Sequence, residues 1–482
     1  MSQVSKIARN SLWVTASYAL SRGIQVLAQA ILARFLLPQD FGVWAMVLIV
    51  TGLTNQFREA AIAQVLVQQG FEDKAQANGV YSLGINISLV MFGLQILAGY
   101  VLSIFFNVAL VFPLTAAVAL VFLINAGAGC HSAFLTREMK FRELAISEAA
   151  AGLARLGAIL GTATLGVGIW AFAIGELAAA AIDSILKRNF SGYQFQYRFR
   201  IEPRSIAFSK RYIQGLLGIN LAVYANTTGD NLVIGKLMGS ESLGLYNLAY
   251  QLAMLPVFIL SQINRVNFSV LSQQDSKQQQ HYLSQLIELY ALVAAPVYAV
   301  AFLMAPALIS ILYGQRWIAA VPMFKLLLLF GYARGFMALL GTVLNSLGYP
   351  GTNAIINWIF VPLSIPSYFL GAKIATLYFP NYPFAGAIGV AIAVVTILGI
   401  GASAVFLWAT SQKTDWPSYT LIKPAVLPTV STALALAIVS NLASLATYLQ
   451  SLLAIILYII ALWVFSSGYV PRRILSLARR SL

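Results

Sequence analysis

Four arginines stand inside long apolar runs of this sequence: Arg22, Arg58, Arg155 and Arg334. A charge at the bilayer centre costs at least about 2.5–3.5 kcal/mol on insertion scales, so such residues face a wet cavity, pair, or reach the headgroups. A guanidinium is a planar fork that grips phosphate oxygens in pairs. Gln25 and Gln29 follow Arg22 at helical spacing and extend it into a polar stripe on an otherwise apolar run. Arg22, Arg58, Arg155, Arg334, Gln25 and Gln29 are therefore the candidate lining of an internal cavity. A basic, water-filled cavity attracts anions, and the chemistry that fits this set is a phosphate-bearing substrate.

Acids in or near the runs are the second group: Glu59, Glu176, Asp183 and Asp230. They are candidates for binding a coupling ion or for pairing with the arginines. Arg58 and Glu59 are adjacent, so on a helix they point in different directions and do not form a self-contained pair. Glu148 and Ser147 lie about two turns before Arg155 and share its surroundings.

Positioning these groups falls to apolar helices. The chain has 482 residues, of which 60% are hydrophobic and 9% charged, with a mean hydropathy of +0.80. A soluble domain carries roughly 25% charged residues. Apolar runs long enough to cross a bilayer recur almost end to end. The fold class is an all-α polytopic membrane protein with about fourteen transmembrane helices. The divisions expected are a six-helix bundle over 1–186, a basic linker over 187–211, a second six-helix bundle over 212–410, and two extra helices with a basic tail over 411–482.

The net charge is +15, from 30 Lys and Arg against 15 Asp and Glu. The basic residues mostly sit between apolar runs, so membrane topology explains them and nucleic acid does not. Lys6 and Arg9, Lys74, Arg137 to Arg142, Lys187 to Arg211, Lys413 and Lys423, and the tail from Arg472 all fall on one side of a fourteen-helix count. The positive-inside rule places that side, with both termini, in the cytoplasm. The opening MSQVSKIARNSLW is expected to be a short cytoplasmic lead rather than a removed signal peptide. The cluster from Lys187 to Arg211 is also suited to anionic lipid headgroups.

One pattern occurs twice. ILARFLLPQDFGVWAM, residues 31–46, overlays the stretch around NLVIGKLMGSESLGLYNLAY at a constant shift of about 202 residues. Arg34 meets Lys236, Gly42 meets Gly244 and Trp44 meets Tyr246. A helix, a tight turn and a helix used twice point to two similar halves, as in the internal repeats of membrane transporters. Elsewhere, Pro362 and Pro366 are expected to kink the run they occupy.

Several functions are disfavoured by what the chain lacks. It has no GxxxxGK[ST], no HExxH and no Ser-His-Asp set. The single Cys130 with His131 and His281 gives no ligand set for a metal centre. No cofactor and no catalytic residue is expected, and energy must come from an ion gradient, the membrane potential or the substrate's own gradient.

The stretches 31–46, TREMKFR (136–142), 229–256 and YGQRWIAAVPMFKLL (313–327) make the chain resemble the polysaccharide and O-antigen flippases of the multidrug/oligosaccharidyl-lipid/polysaccharide flippase superfamily. The resemblance covers nearly the whole chain. It implies two six-helix bundles facing each other as a V, followed by two helices that hold a lipid tail. It also implies export of an undecaprenyl-pyrophosphate-linked oligosaccharide from the inner to the outer leaflet of a bacterial plasma membrane by alternating access. The implied partners are that glycan, H+ or Na+, and other membrane proteins of polysaccharide assembly. Two alternatives stay open: a cation-coupled drug antiporter of the same superfamily, which Glu59, Glu176 and Asp183 would suit, and a non-transport membrane enzyme or scaffold of polysaccharide synthesis.

Overall fold

A computed structural model describes residues 23–61, 66, 67, 70–199, 203–258, 260, 261, 264, 271, 276–442 and 446–465. Every regular element among them is helical. Eight are long and apolar enough to cross a membrane, or nine if the bent pair at 111–137 is one span. The chain is thus an all-α polytopic membrane protein. It divides into two compact units, Met1–Leu248 and Ala249–Leu482.

The first unit begins with α1 (Gly23–Phe35) and α2 (Pro38–Ala61). Proline at the first helical position costs no hydrogen bond, and the Asp40 carboxylate accepts from the Leu37 N–H at 2.9 Å to close the turn. Next come α3 (Lys74–Phe106), α4 (Val111–Ile124), α5 (Ala128–Arg137), α6 (Phe141–Thr164) and α7 (Trp170–Ser191). Asp73 caps α3 by accepting from the N–H groups of Ala75 and Gln76. α4 and α5 meet at a 47° bend, where Gly127 takes φ 80. The apolar run of α4 therefore stops at Ile124.

α8 (Pro203–Ala253) contains the second copy of the repeat, and its break is at Gly239, φ 79, a left-handed conformation that a side chain disfavours. The two copies touch each other. A Cβ on Gly42 would sit inside the Ser240 carbonyl, and a Cβ on Gly244 inside the Pro38 carbonyl. At a shift of 202, Ser240 is the counterpart of Pro38 and Gly244 of Gly42. Each copy thus offers its glycine to the same place on the other, the exchange of contacts that a local two-fold axis produces. Lys236 donates to the Phe105 carbonyl at 2.6 Å and lies 4.8 Å over the Phe105 ring, so the basic residue of the second copy caps the end of α3.

After α7 the chain turns at Gly192 (φ 61) and runs extended along the first turns of α3. The Gln196 N–H donates to Asn78 Oδ1 at 3.0 Å, the Arg198 N–H to Ser82 Oγ at 2.7 Å, and the Tyr197 hydroxyl to Asn86 Oδ1 at 2.9 Å. Asn78, Ser82 and Asn86 are spaced one helical turn apart, so they form a polar rail for the extended backbone. Phe195 stacks on Tyr81 at 4.9 Å, and the His131 ring lies edge-on to Phe195 while bonding Ser191 Oγ at 2.6 Å.

The second unit, after the last residues of α8, holds α9 (Ser276–Leu303), α10 (Ala305–Leu312), a short 3-10 turn (Gln315–Ala320) and α11 (Val321–Ser346). α12 (Pro350–Tyr378) and α13 (Ala385–Ala393) follow, then a π-helical stretch (Val394–Ala402) leading into α14 (Ser403–Thr414). α12 runs as one helix through Pro362 and Pro366. Gly371 and Gly389 bring α12 and α13 into backbone contact, the close approach that small residues allow between membrane helices. α15 (Ser418–Ser440) and α16 (Thr447–Phe465) form a final hairpin. It is fastened to the unit by Tyr332 to Thr429 at 2.6 Å and by the Tyr458 hydroxyl to the Leu292 carbonyl at 2.8 Å.

Candidate functional site

The first unit encloses a cavity of about 650 Å³. This lies within the roughly 300–1,000 Å³ of small-molecule sites. Its walls come from five helices, each offering one face. α2 supplies Trp44, Leu48, Thr51 and Asn55; α6 supplies Glu148, Gly152 and Arg155; α7 supplies Glu176, Asp183 and Lys187. α1 adds Gln25, and Asn125 closes the end of α4. The spacing within each helix is three, four or seven, so a polar stripe on an apolar helix is what the cavity consumes. α2 and α7 fall short of the apolarity needed to count as spans by composition. In α7 the charged residues responsible, Glu176, Asp183 and Lys187, line the cavity, and in α2 Thr51 and Asn55 do so.

The charges in the cavity are arranged across the α6–α7 hairpin. Arg155 Nη2 meets Glu176 Oε2 at 2.8 Å, with side chains 27% and 33% exposed. Lys187 Nζ meets Asp183 Oδ2 at 2.7 Å, and the Ser147 hydroxyl donates to Asp183 Oδ1 at 2.7 Å. Arg155 and Glu176 lie at equal distances on either side of the turn at Leu165–Gly166, and so do Glu148 and Asp183. An antiparallel hairpin brings such positions to one level. The Arg155 Nε–H is buried with no partner among the described residues. Leaving a buried donor unmade costs about 1–3 kcal/mol, so the side chain holds its place through the Glu176 pair at the expense of one bond.

Trp44 is fixed from behind by Phe172, whose ring is parallel at 4.9 Å, and Phe41 meets the same ring edge-on at 5.1 Å. Thr51, on the cavity wall, is also tied to α3 through Gln95, whose amide reaches its hydroxyl at 3.4 Å while the Thr54 hydroxyl donates to the Gln95 carbonyl at 2.8 Å. The Tyr224 hydroxyl of α8 donates to the Ile49 carbonyl at 2.6 Å and packs on Gly52. The wall formed by α2 is braced on both sides.

Of the residues singled out from sequence, Gln25, Arg155, Glu176 and Asp183 come together in this cavity. Gln29 is half-buried on α1. Arg22 lies outside the described residues; Arg58 and Glu59 lie on α2 with side chains outside them. Asp230 is buried elsewhere in the first unit, accepting from the Tyr246 hydroxyl at 2.6 Å and the Asn231 N–H at 2.8 Å. The neighbouring Asn231 Oδ1 is buried without a partner among the described residues. Arg334 is in the second unit on α11, interacting electrostatically with Tyr250 and Tyr368. The residues that sequence reasoning passed over are Trp44, Thr51, Asn55, Asn125 and Lys187. Helical spacing was the available signal: Trp44, Leu48, Thr51 and Asn55 are one face of α2. Among the described residues no group of three His, Cys, Asp or Glu side chains is placed to hold a metal ion.

Residues 31–322 match the family model described as "Polysaccharide biosynthesis protein". The lipopolysaccharide biosynthesis protein WzxC of Escherichia coli is 22% identical over 382 residues, 78% of this chain and 77% of that protein. The succinoglycan biosynthesis transport protein ExoT of Rhizobium meliloti is 25% identical over 362 residues, 73% of this chain and 71% of that one. Among solved structures, the lipid II flippase MurJ in an inward closed conformation superposes with a TM-score of 0.75 at 16% identity, covering 96% of this chain and all of that one. An outward-facing multidrug resistance MATE family transporter gives 0.55 at 16%, covering 84% and 95%. At these identities the structural likeness speaks for the fold.

Proposed function

The chain belongs to the polysaccharide biosynthesis protein family, and from that premise we propose that it is a flippase, not an enzyme. It carries an undecaprenyl-pyrophosphate-linked oligosaccharide from the inner to the outer leaflet of a bacterial plasma membrane by alternating access, in the synthesis of O-antigen, exopolysaccharide or capsule. The observation that carries the reading is a polar, charge-lined cavity inside a bundle of membrane-length helices in a chain of this family. A bilayer-embedded protein gains nothing from such a cavity unless something polar enters it. The relatives named for polysaccharide biosynthesis and transport, and the lipid II flippase likeness, point the same way.

Fourteen helices, as bundles over 1–186 and 212–410 joined by the linker 187–211 and followed by the pair in 411–482, is the organisation we adopt, with both termini in the cytoplasm. Arg22, Arg58 and Arg334 are the pyrophosphate ligands in this reading, with Gln25 and Gln29 beside them. Arg155 already meets Glu176 through Nη2. H+ or Na+ is the coupling ion. Glu176 and Asp183 are engaged by cations, and Glu59 and Asp230 remain as coupling carboxylates. Asp230 is favoured by the unpartnered Asn231 oxygen beside it. Anionic headgroups lie against the basic cluster from Lys187 to Arg211, in which Tyr197, Arg198 and Phe199 are exposed, and other polysaccharide-assembly proteins act before and after the flipping step.

The experiment is transfer of a fluorescent undecaprenyl-pyrophosphate oligosaccharide across liposomes containing the purified chain, with an imposed proton or sodium gradient. Transfer that is lost in Arg22→Ala supports the reading, and its gradient dependence names the ion. Movement of dye cations without movement of the glycan would replace it with a drug antiporter. A reporter fused after Leu482 is expected to be cytoplasmic; a periplasmic signal would overturn the helix count.

A further inference from the structure

Pro296 stands inside α9, with helix on both sides of it. A proline has no N–H, so the carbonyl four residues earlier, that of Leu292, loses its donor within the helix. α9 is long and apolar enough to cross a bilayer, and lipid supplies no donor in its place. The final hairpin does: the Tyr458 hydroxyl of α16 donates to the Leu292 carbonyl at 2.8 Å. Tyr458 is 6% exposed. With Pro296 and Ala299 of α9, and Thr432 and Ala435 of α15, it lines a narrow crevice where the three helices meet.

α9 grips a different neighbour on each side of the proline. Before it, the Tyr290 hydroxyl donates to the Tyr332 carbonyl of α11 at 2.9 Å. After it, the Tyr298 hydroxyl donates to the Ala253 carbonyl, at the end of α8, at 3.2 Å. Tyr332 is tied in turn to Thr429 of α15 at 2.6 Å, and it lies two residues before Arg334. Tyr250, from the same end of α8, is an electrostatic neighbour of Arg334. A helix missing one rung of its ladder bends more easily there than elsewhere. Flexing α9 at Pro296 moves its grip on α11 against its grip on α8, and the surroundings of Arg334 shift with it.

We infer that the final hairpin is a latch on a hinge at Pro296, and that Tyr458 is a positioning residue for Arg334. The hydroxyl holds α9 in the arrangement seen, and its release lets the helix take a second bend. One interhelical hydrogen bond in a membrane shifts such a balance roughly threefold, which suits a latch that must open as well as close. Ala299, Ala435 and Ala454 at the crevice leave room for the Tyr458 ring to approach the α9 backbone. The role of Arg334 rests on the flippase reading. The latch does not, and it is tested without substrate.

The test is a distance measurement by electron spin resonance on the full-length protein in nanodiscs. Spin labels are placed through Lys277→Cys and Ile311→Cys, exposed positions on either side of Pro296, in a Cys130→Ala background. Tyr458→Phe removes the hydroxyl and keeps the ring. It is expected to raise the ratio of the minor to the major distance roughly threefold. Pro296→Ala returns an N–H to the Leu292 carbonyl, so adding Tyr458→Phe in that background is expected to change nothing. This coupling separates a latch from plain packing, whose loss would read the same in both backgrounds. Pro296→Ser, which also restores the N–H, serves if Pro296→Ala does not elute as a folded monodisperse species. An unchanged distribution in Tyr458→Phe, or an equal change with and without Pro296, would overturn the latch. Where lipid-linked glycan is carried, Tyr458→Phe is expected to shift its half-saturating concentration roughly threefold; no shift, with the coupling present, would overturn the link to Arg334. Failure of the glycan to cross liposomes, with the coupling intact, would sink the transport reading and leave the latch standing.

Discussion

Arg155 and Arg334 are the same residue in the same kind of helix, and the protein treats them in opposite ways. Arg155 in the first unit is matched by a carboxylate across an antiparallel hairpin, at the wall of a cavity. Arg334 in the second unit has tyrosines as its electrostatic neighbours, and no described carboxylate pairs with it. The helix turns beside Arg334 are aromatic: Tyr290 stacks on Tyr332 at 5.8 Å, Phe336 meets both rings edge-on, and the Tyr290 hydroxyl donates to the Tyr332 carbonyl at 2.9 Å. Gly335 makes room for Tyr290, since a Cβ there would lie inside its hydroxyl. A carboxylate neutralises an arginine, even where it takes only one of its nitrogens as here. No described carboxylate spends the charge of Arg334, and the proposed reading assigns that charge to an anion. The difference teaches that counting arginines in apolar runs overstates how many can bind phosphate.

The largest effect that would break this comparison is at Arg334. Arg334→Ala is expected to abolish liposome transfer of the lipid-linked glycan, and Arg334→Lys to keep the charge but lose the fork, lowering transfer roughly tenfold or more. Wild-type transfer by Arg334→Ala would mean that the tyrosine-lined arginine is a packing feature.

Arg155 is the intermediate case. Its pair is about one-third exposed, so removing one partner costs about 1 kcal/mol of stability rather than the several of a dry pair. Arg155→Glu with Glu176→Arg is expected to restore the melting temperature and most of the transfer, because a pair works in either orientation. Arg334 has no such rescue. If the double reversal recovers stability but no transport, Arg155 touches the pyrophosphate and the two arginines are alike after all.

These contrasts were only partly legible beforehand. The helical class and the polar interruptions followed from composition, because 9% charge cannot cover a soluble surface. The repeat was legible because it is local: Gly42 and Gly244 are marked by their place in a turn, and the structure adds that each faces the other's Pro38 or Ser240. The pairing of Arg155 with Glu176 was not, since it joins two helices and depends on where their turn is centred. Equal spacing about Leu165–Gly166 would have suggested it. The rail of Asn78, Ser82 and Asn86 was hidden for another reason. Its partners are backbone N–H groups of Gln196 and Arg198, which leave no trace in residue type. Residues 193–199 show their charges and aromatics in the sequence but not the helix they lie along.

The smallest expected effect sharpens the account of how wet the first unit's cavity is. Lys187 and Asp183 are one helical turn apart on α7, with side chains 16% and 21% exposed. Asp183 also accepts the Ser147 hydroxyl at 2.7 Å, so losing Lys187 does not strip its carboxylate of partners. Lys187→Met is therefore expected to cost about 0.5 kcal/mol, the size of an i,i+4 pair in reach of water. The corresponding drop in melting temperature is expected to shrink as salt rises, because a pair open to solvent is screened. A loss of about 3 kcal/mol or more, unchanged by salt, would instead put the pair in a dry interior. The cavity would then be too apolar around Asp183 to admit a polar ligand, and the contrast between a wet, paired wall in one unit and an arginine with no described carboxylate in the other would fail at its first half.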